Sequence, residues 1–193
     1  MPRFSIIMPT YRREHIIGNT IEYIHKQTFT DWELILVDNH DSSYHEAVKP
    51  YPRIRHFVYT EKRGASHARN FGIDQIKGEF TCFFDDDDIM HPDYLESFNE
   101  AFKNPNVMMA HCGMRVMRGN STDFSFATPE VVIRSQFVTR TWVPCDSHDQ
   151  IYFDRIAVAN EWVHGKQILL INSVLVTARS DSKGGLRGPG AGY

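Results

Sequence analysis

Short apolar runs that alternate with helix-like patterns are the feature of this sequence that most restricts its fold. Runs with the composition of buried strands lie at residues 4–8, 33–37, 54–59 and 80–84. Isoleucines between the first two runs recur at the spacing of one helix face: Ile16, Ile17, Ile21 and Ile24. Two more helices are expected, one at residues 65–76 and one from about Pro92, because proline suits a first helical turn. The alternation predicts an α/β fold with a mostly parallel, Rossmann-type sheet flanked by helices.

The second half of the chain is less regular. Strands are predicted at residues 107–116 and 168–178, and a helix is predicted to start near Thr128, Pro129 and Glu130. Ser147 and Gln150 have the spacing of a capping box, which predicts a helix over residues 148–159. We therefore expect one domain over residues 1–183, divided at about residue 90, and a glycine-rich tail or linker at 184–193.

Composition excludes several classes of protein. The chain has 193 residues and a net charge of -3, so it is long enough for one packed domain and lacks the basic surface of a nucleic-acid-binding protein. Its three cysteines are widely spaced, and we expect them to be buried thiols in a reducing compartment: Cys82, Cys112 and Cys145. The sequence shows no signal peptide and no apolar stretch long enough to span a membrane, so we expect a cytoplasmic protein.

Four adjacent aspartates, Asp85 to Asp88, directly follow the fourth apolar run. Two unit charges about 4 Å apart repel by roughly 4 kcal/mol at an effective dielectric near 20, so such a run needs compensation. Mg²⁺ or Mn²⁺ would supply it, because these ions bind one or two carboxylates and complete their shell with water and substrate phosphates. The alternative is a solvated acidic turn that caps the following helix.

The position of the aspartates favours a ligand site. In a parallel sheet the ligand lies outside the carboxyl ends of the strands, where polar residues from three strands are expected to converge. Those from the first two strands are Pro9, Thr10, Tyr11, Arg12 and Asp38. Tyr11 could stack on a nucleobase, Asp38 could accept a hydrogen bond from a base N–H, and Asp85 could accept from ribose hydroxyls. The pattern indicates a nucleotide pocket, which Arg69 would reach as a donor unless it is a surface residue.

The same residues resemble family 2 glycosyltransferases of the GT-A fold. The similarity lies in four ordered blocks: residues 5–13, residues 27–38, residues 64–72 and residues 78–88. It implies an inverting transferase that uses a nucleotide diphosphate sugar, most often a UDP-sugar, and a divalent metal, Mn²⁺ or Mg²⁺. It also implies a nucleotide-binding half at 1–90, an acceptor half at 91–183 and a glycan or glycoprotein acceptor. A further similarity, to a glycosyltransferase domain of large algal viruses that acts on capsid protein, would also fit the cytoplasm.

The resemblance also suggests roles for single residues. Thr10, Tyr11, Asp38 and Arg69 correspond to base-binding positions, Asp85 to the ribose position and Asp87 to the metal position. Asp86 fills the variable middle of the D-x-D motif, and Asp88 either supports the metal through water or caps the next helix. Residues 148–155 resemble a later segment of the family that places the general base at Asp149, with Asp146 as the reserve candidate.

Several assignments stay open in the second half. Many members of the family place a histidine, often a metal ligand, shortly after a late tyrosine–arginine pair, but the counterpart here, residues 177–182, contains no histidine. Asp181 or water would then complete the coordination. His164 is more simply a surface residue. Aromatic and imidazole side chains that could line the acceptor side, or simply pack, are Trp142, Trp162, His111 and His148.

Other protein classes fit less well. Sugar nucleotidyltransferases have a glycine-rich loop after the first strand, and residues 9–13 contain no glycine. Receiver domains and dehalogenase-type phosphatases place their aspartates after an early strand rather than the fourth. A non-catalytic nucleotide-sugar-binding module, or one domain of a larger transferase, remains the alternative.

Overall fold

A single mixed β-sheet organises the part of the chain that the computed structural model describes: residues 1–40, 48, 50–61, 64–116, 122–123, 131–140, 142 and 167–178. Its strands are β1 Phe4–Thr10, β2 Trp32–Asp38, β3 Ile54–Val58, β4 Phe80–Phe83, β5 Ile89–Met90, β6 Val107–Val116, β7 Thr122–Asp123, β8 Val131–Arg134 and β9 Gln167–Ala178. The described helices are α1 Ile17–His25, α2 Ala65–Ile73 and α3 Tyr94–Ala101, and a 3₁₀ turn follows β8 at Ser135–Phe137.

The strand order is β3-β2-β1-β4-β8-β6-β9-β5, with β7 paired to β6. Strands β3, β2, β1 and β4 run parallel, whereas β8 is antiparallel to both β4 and β6, and β5 is antiparallel to β9. Chain order reverses at β1, because β2 and β3 extend the sheet on one side of it and β4 on the other. Such a reversal leaves a crevice at the carboxyl ends of β1 and β4, where open α/β sheets bind their ligands.

Each face of the sheet has its own apolar core. On one face, alternate β1 residues pack with α1 and α3, and the helical side chains there include Ile21, Ile24, Leu95 and Phe98. On the other face, Ile7, Ile35 and Val37 pack around Ala68 of α2. Strands β1 and β2 are buried along their whole length because both of their faces are covered.

The predicted elements of the first half are confirmed, with small shifts at their ends. Strand β1 continues two residues beyond the predicted end, and α2 ends at Ile73 rather than at residue 76. The third helix begins at Tyr94, with Asp93 as its N-cap residue, so Pro92 lies just outside it. The strands predicted at 107–116 and 168–178 are also present.

One predicted helix is wrong. We expected a helix from about residues 128–130, but Val131–Arg134 forms β8. Three consecutive β-branched residues make this segment suited to a buried strand, and Ile133 pairs with Thr81 of β4 and Met109 of β6. The short strands β5 and β7 were not predicted, and the helix predicted at 148–159 and the glycine-rich end fall outside the described residues.

Two further expectations concern the cysteines and membrane association. Cys82 and Cys112 are buried, as predicted, and burial raises the pKa of the Cys82 thiol far above its usual range. Cys145 lies outside the described residues. Within the described ranges, every helix is too short or too polar to cross a bilayer.

Two glycine-to-alanine substitutions test how tightly the sheet edge is packed. A Cβ on Gly78 would lie 2.6 Å from the Ser5 backbone nitrogen and 2.7 Å from the Phe4 carbonyl carbon, so Gly78→Ala is expected to cost about 1–3 kcal/mol. Exposed Gly18 in α1 has no atom within 4 Å of that position, so Gly18→Ala should stabilise the chain by about 0.5 kcal/mol. Urea denaturation of both variants measures the difference, and equal effects would contradict this packing.

Candidate active site

The candidate site lies at the carboxyl edge of β1, β2 and β4. Thr10 and Asp38 are the last residues of β1 and β2, and they are partners in the parallel register. Strand β4 ends at Phe83, and the N–H of Phe84 donates to the Ile7 carbonyl at 2.9 Å before the chain enters the aspartate run. The predicted convergence of polar groups from three strands is therefore present in the structure.

The four aspartates alternate between buried and accessible positions. Asp86 and Asp88 are buried, whereas 29% of the Asp85 side chain and 27% of the Asp87 side chain are exposed. The Thr10 hydroxyl donates to Asp86 Oδ2 at 2.7 Å. Thr20 of α1 donates to the Asp86 carbonyl oxygen at 2.8 Å, which holds the backbone of the run against the helix. The run therefore directs two carboxylates into the fold and two toward solvent.

Arginines compensate the two accessible carboxylates. Arg69 on α2 is buried, and its Nη2 lies 2.7 Å from Asp85 Oδ1. Arg13, just after β1, places its Nη2 3.4 Å from Asp87 Oδ2. These two guanidinium groups offset part of the repulsion within the run, so the run needs a cation for compensation less than the sequence alone indicates.

The buried Asp86 has an unusual protonation equilibrium. Burial raises the pKa of this carboxyl to about 7, and the neighbouring charges of Asp87 and Asp85 act in the same direction. The hydrogen bond from Thr10 and the charge of Arg13 oppose this shift. Asp86 therefore behaves as a structural carboxyl whose charge is costly in the folded chain.

Asp38 retains a hydrogen-bonding capacity that points to a ligand. The residue is fully buried, and its Oδ1 accepts the backbone N–H of His40 at 2.9 Å. Its Oδ2 lies 3.9 Å from His56 Nε2 and has no hydrogen bond among the described residues. A buried carboxylate oxygen without a hydrogen bond is uncommon in folded proteins, so Asp38 is a candidate contact for a hydrogen-bond donor on a ligand.

The turn after β1 carries the other predicted nucleotide contacts. Pro9 lies within β1 opposite Val37, so it is part of the sheet rather than of the turn. The Tyr11 ring meets His40 edge-on with centroids 5.5 Å apart. The Arg12 guanidinium lies 5.2 Å from the Tyr11 centroid, and Arg12 has a left-handed backbone with φ 55°. The Tyr11 ring is half-buried at the site edge, where a base could stack on it.

Asn39 ties the start of α2 to the carboxyl edge. Its Oδ1 accepts the N–H of Gly64 at 2.5 Å, and its backbone N–H donates to the Thr10 carbonyl at 2.9 Å. Gly64 has φ 108°, a conformation that strongly favours glycine, and directly precedes the helix that carries Arg69. This contact helps to bring Arg69 to the aspartate run.

The ligand chemistry at Asp87 suits a hard divalent cation that is shared with a substrate. Within the described ranges, no group of three or more His, Cys, Asp or Glu side chains is arranged to hold a metal. Mg²⁺ and Mn²⁺ nevertheless often bind one or two carboxylates and complete their shell with phosphate and water. The accessible Asp87, with Asp85 near it in sequence, fits that partial ligand set.

Sequence reasoning missed several polar residues that build the site. Arg13, Thr20, His40 and His56 each contact the aspartate run or Asp38. Arg13 adjoins the predicted turn, so its charge was a usable signal. Thr20 and His56 lie on a helix and a strand, and only tertiary packing brings them to the site.

Most of the other candidate residues lie outside the part of the chain that the structure describes. Those outside the described residues are Asp146, His148, Asp149, Trp162, His164 and Asp181. His111 lies half-buried on β6, and burial lowers its pKa. Trp142 is buried beside the site, where its ring lies 4.5 Å from the Arg69 guanidinium carbon.

The family model described as glycosyl transferase family 2 matches residues 5–161, well over half of the chain. The chain belongs to glycosyltransferase family 2. Among curated members it is 30% identical over 145 residues to the UDP-Glc:alpha-D-GlcNAc-diphosphoundecaprenol beta-1,3-glucosyltransferase WfgD of Escherichia coli, covering 73% of this chain and 57% of WfgD. It is 34% identical over 113 residues to the poly(ribitol-phosphate) beta-N-acetylglucosaminyltransferase TarP of Staphylococcus aureus, covering 55% of this chain and 35% of TarP.

Solved glycosyltransferase structures share the fold. S. aureus TarS 1–349 in complex with UDP-GlcNAc superimposes with a TM-score of 0.75 at 18% identity, covering 93% of this chain and 58% of that one. The mannosyltransferase PcManGT from Pyrobaculum calidifontis, in complex with GDP-Man and Mn²⁺, has a TM-score of 0.72 at 18% identity, covering 92% and 56%. The predicted GT-A-like fold is confirmed. This family 2 chain spans somewhat more than half the length of WfgD and of these two structures.

Replacing Asp86 with asparagine should change how stability depends on pH. Folding raises the pKa of Asp86 from 3.8 to about 7. The contribution of this carboxyl to the stability of the folded chain is therefore fully present below pH 4 and is lost as the pH rises through 7. Asparagine does not titrate and can still accept from Thr10. The free energy of unfolding of Asp86→Asn, relative to that of the parent chain, should therefore rise by about 2–3 kcal/mol from pH 5 to pH 8.

Urea denaturation at the two pH values, without divalent cations, measures this gain. Asp31→Asn removes a carboxylate from an exposed residue and is the matched control. The same gain in both variants would show that burial of Asp86 is not its cause.

Proposed function

We propose that this family 2 chain is an inverting glycosyltransferase that moves a sugar from a nucleotide diphosphate sugar to a hydroxyl of a glycan or glycoprotein. The observation that carries the proposal is the meeting of Thr10, Asp38 and the aspartate run at the carboxyl edge of the sheet. Family membership supports the reaction class, and the chemistry of these groups supports a nucleotide diphosphate as ligand.

A UDP-sugar is the proposed donor. The name of WfgD specifies UDP-Glc, and TarS has been crystallised with UDP-GlcNAc, whereas PcManGT has been crystallised with GDP-Man. The fold therefore accommodates more than one base, and the choice rests on the pocket. Asp38 Oδ2 is a buried acceptor without a described hydrogen bond, which suits the single imide N–H of uracil. Tyr11 would stack on the base, and Asp85 would accept from the ribose.

The reaction needs a base and a stabilised leaving group. A carboxylate removes the proton of the acceptor hydroxyl, the hydroxyl oxygen forms the new bond to the anomeric carbon, and the nucleotide diphosphate leaves from the opposite face with the bonding electrons. We assign the base role to Asp149. Asp87 would hold a Mn²⁺ or Mg²⁺ ion, which supplies positive charge beside the departing diphosphate when it is bound.

The alternative is a nucleotide-sugar-binding module without transfer activity, or one domain of a larger transferase. The chain covers only part of its longer relatives, so acceptor recognition in those proteins can involve chain that has no counterpart here. We place the reaction in the cytoplasm because nucleotide sugars are available there. The similarity to an algal viral transferase domain that acts on capsid protein stays a prediction.

A donor panel tests the proposal directly. Calorimetric titration with UDP, GDP, UDP-Glc, UDP-GlcNAc and GDP-Man, each with Mn²⁺ or with EDTA, should show tightest binding for a uridine ligand with Mn²⁺. Release of UDP from the UDP-sugar, by hydrolysis or by transfer to an added acceptor, identifies a catalyst. Binding without turnover across an acceptor panel supports the binding module, and no nucleotide binding at all would contradict both readings.

Substitution of Asp87 tests the metal assignment. Asp87→Asn should weaken UDP binding in Mn²⁺ by roughly tenfold, about 1.4 kcal/mol, because the variant loses an anionic oxygen ligand for the cation. In EDTA the same substitution should have little effect on UDP affinity. Asp31→Asn is the control for lost charge, and equal Mn²⁺ enhancement in Asp87→Asn and the parent chain would rule out Asp87 as a ligand.

Substitution of Asp149 tests the base. Asp149→Asn should lower the transfer rate by about 10²- to 10⁴-fold, the usual contribution of a positioned base, while UDP affinity stays within about twofold. The neighbouring Asp146→Asn is the comparison, because it is the reserve candidate for the same role. Full transfer activity in folded Asp149→Asn would show that this residue is not the base.

A further inference from the structure

Trp142 connects the donor side of the site to the chain that follows β8. It is buried, and its ring meets Phe83, the last residue of β4, with centroids 5.0 Å apart and planes at 70°. The Arg69 guanidinium carbon lies 4.5 Å from the centroid of the same ring. Arginine and tryptophan in this arrangement attract each other through the ring quadrupole, and more strongly where water is excluded.

Asn70 holds the backbone of Trp142 at two points. Its Nδ2 donates to the Trp142 carbonyl oxygen at 3.0 Å, and the Trp142 backbone N–H donates to Asn70 Oδ1 at 3.2 Å. The side-chain amide thus pairs with one residue of backbone much as a neighbouring strand would. Alanine or leucine at this position cannot make these bonds.

The contacts form a connected chain that ends at the donor site. Asn70 holds Trp142, the Trp142 ring lies against Arg69, and Arg69 pairs with Asp85 at 2.7 Å. Arg69 is 1% exposed and Asp85 is 29% exposed, so the chain runs from the interior to the surface of the site. Each link fixes the next, because a buried guanidinium that has an aromatic face on one side and a carboxylate on another has few other orientations.

We propose that Trp142 and Asn70 are positioning residues for the donor site, because they hold Arg69 in the orientation that directs the Asp85 carboxylate toward the donor. The inference rests on the proposed function of the site. It extends that function by adding two residues that do not themselves touch the nucleotide. A simpler reading is that Trp142 only fills space between α2 and β4, in which case its loss affects stability alone.

UDP affinity separates the two readings. In calorimetric titrations with Mn²⁺, Trp142→Leu should weaken UDP binding by roughly three- to tenfold, the range expected for a lost desolvated cation–π contact. Trp142→Phe keeps a ring beside Arg69 and should stay within about twofold of the parent chain. The donor KM should follow the same pattern, while kcat at saturating donor changes less.

Trp32 provides a matched control within the same chain. It is also buried, and the Arg53 guanidinium carbon lies 4.1 Å from its ring centroid. Trp32 begins β2, whereas Asp38 ends it, so this second pair lies at the amino end of the strand, away from the carboxyl end that carries the site. Trp32→Leu should lower the denaturation midpoint and leave UDP affinity unchanged. An equal loss of UDP affinity in Trp32→Leu and Trp142→Leu would overturn the proposal.

A double-mutant cycle shows whether Trp142 acts through Arg69. In an Arg69→Met background, Trp142→Leu should cause no further loss of UDP affinity, because the contact through which it acts is already gone. If the two substitutions instead lower UDP affinity independently, so that their fold-losses multiply in the double variant, Trp142 does not act through Arg69. If Trp142→Leu does not fold, Asn70→Ala carries the same test, with a loss of roughly two- to fivefold that is likewise absent in the Arg69→Met background.

Failure of the inference differs from failure of the proposed function. A parent chain that binds no nucleotide would refute the donor site itself, and the positioning role with it. If the parent chain binds UDP, and folded Trp142→Leu and Asn70→Ala bind it with the same affinity, the donor site stands and the positioning role alone is refuted.

Discussion

Mutual repulsion among four adjacent carboxylates is the constraint on which the rest of this site depends. The fold separates the charges in space rather than dispersing them in sequence. Asp86 turns inward to the Thr10 hydroxyl, where burial raises its pKa to about 7, while Asp85 and Asp87 face arginines from two different elements. Hydrogen-bond donors from β1, from the turn after it and from α2 are therefore needed beside the aspartate run. The sheet order that places β1 beside β4 brings them there.

The sheet also explains why polar groups meet at this point. Strands β1 and β2 are covered on both faces by helices, so their side chains are committed to the core until the last residue. Thr10 and Asp38, the last residues of these two strands, are buried polar groups that are partners in the parallel register. The two apolar cores keep the strands in register, and the register places the polar groups side by side. The stability of the core and the geometry of the site are thus linked through the same strands.

Most of the first half could be predicted from sequence because its signals are local. Buried parallel strands are continuous apolar runs, and α1 shows its apolar face directly in the spacing of its isoleucines. Strand β8 was missed because it is short and antiparallel, and its pairing partners β4 and β6 are remote in sequence. Thr20 was missed for a related reason, since a hydroxyl on a helix gives no sign that it will meet a backbone carbonyl 66 residues away. The sequence indicated which residue types the site uses, but not which of the four aspartates would be buried.

The pairing of β5 with β9 bears on the order in which the site assembles. Strand β5 begins at Ile89, directly after the aspartate run, and Ile89 pairs with Thr177 near the end of β9. Contacts of such long sequence separation form slowly, because the entropy of closing the intervening loop is lost before the contact stabilises the chain. The pairing of β5 therefore depends on a slow, non-local contact, whereas β1 and β2, which end in Thr10 and Asp38, are much closer together in sequence.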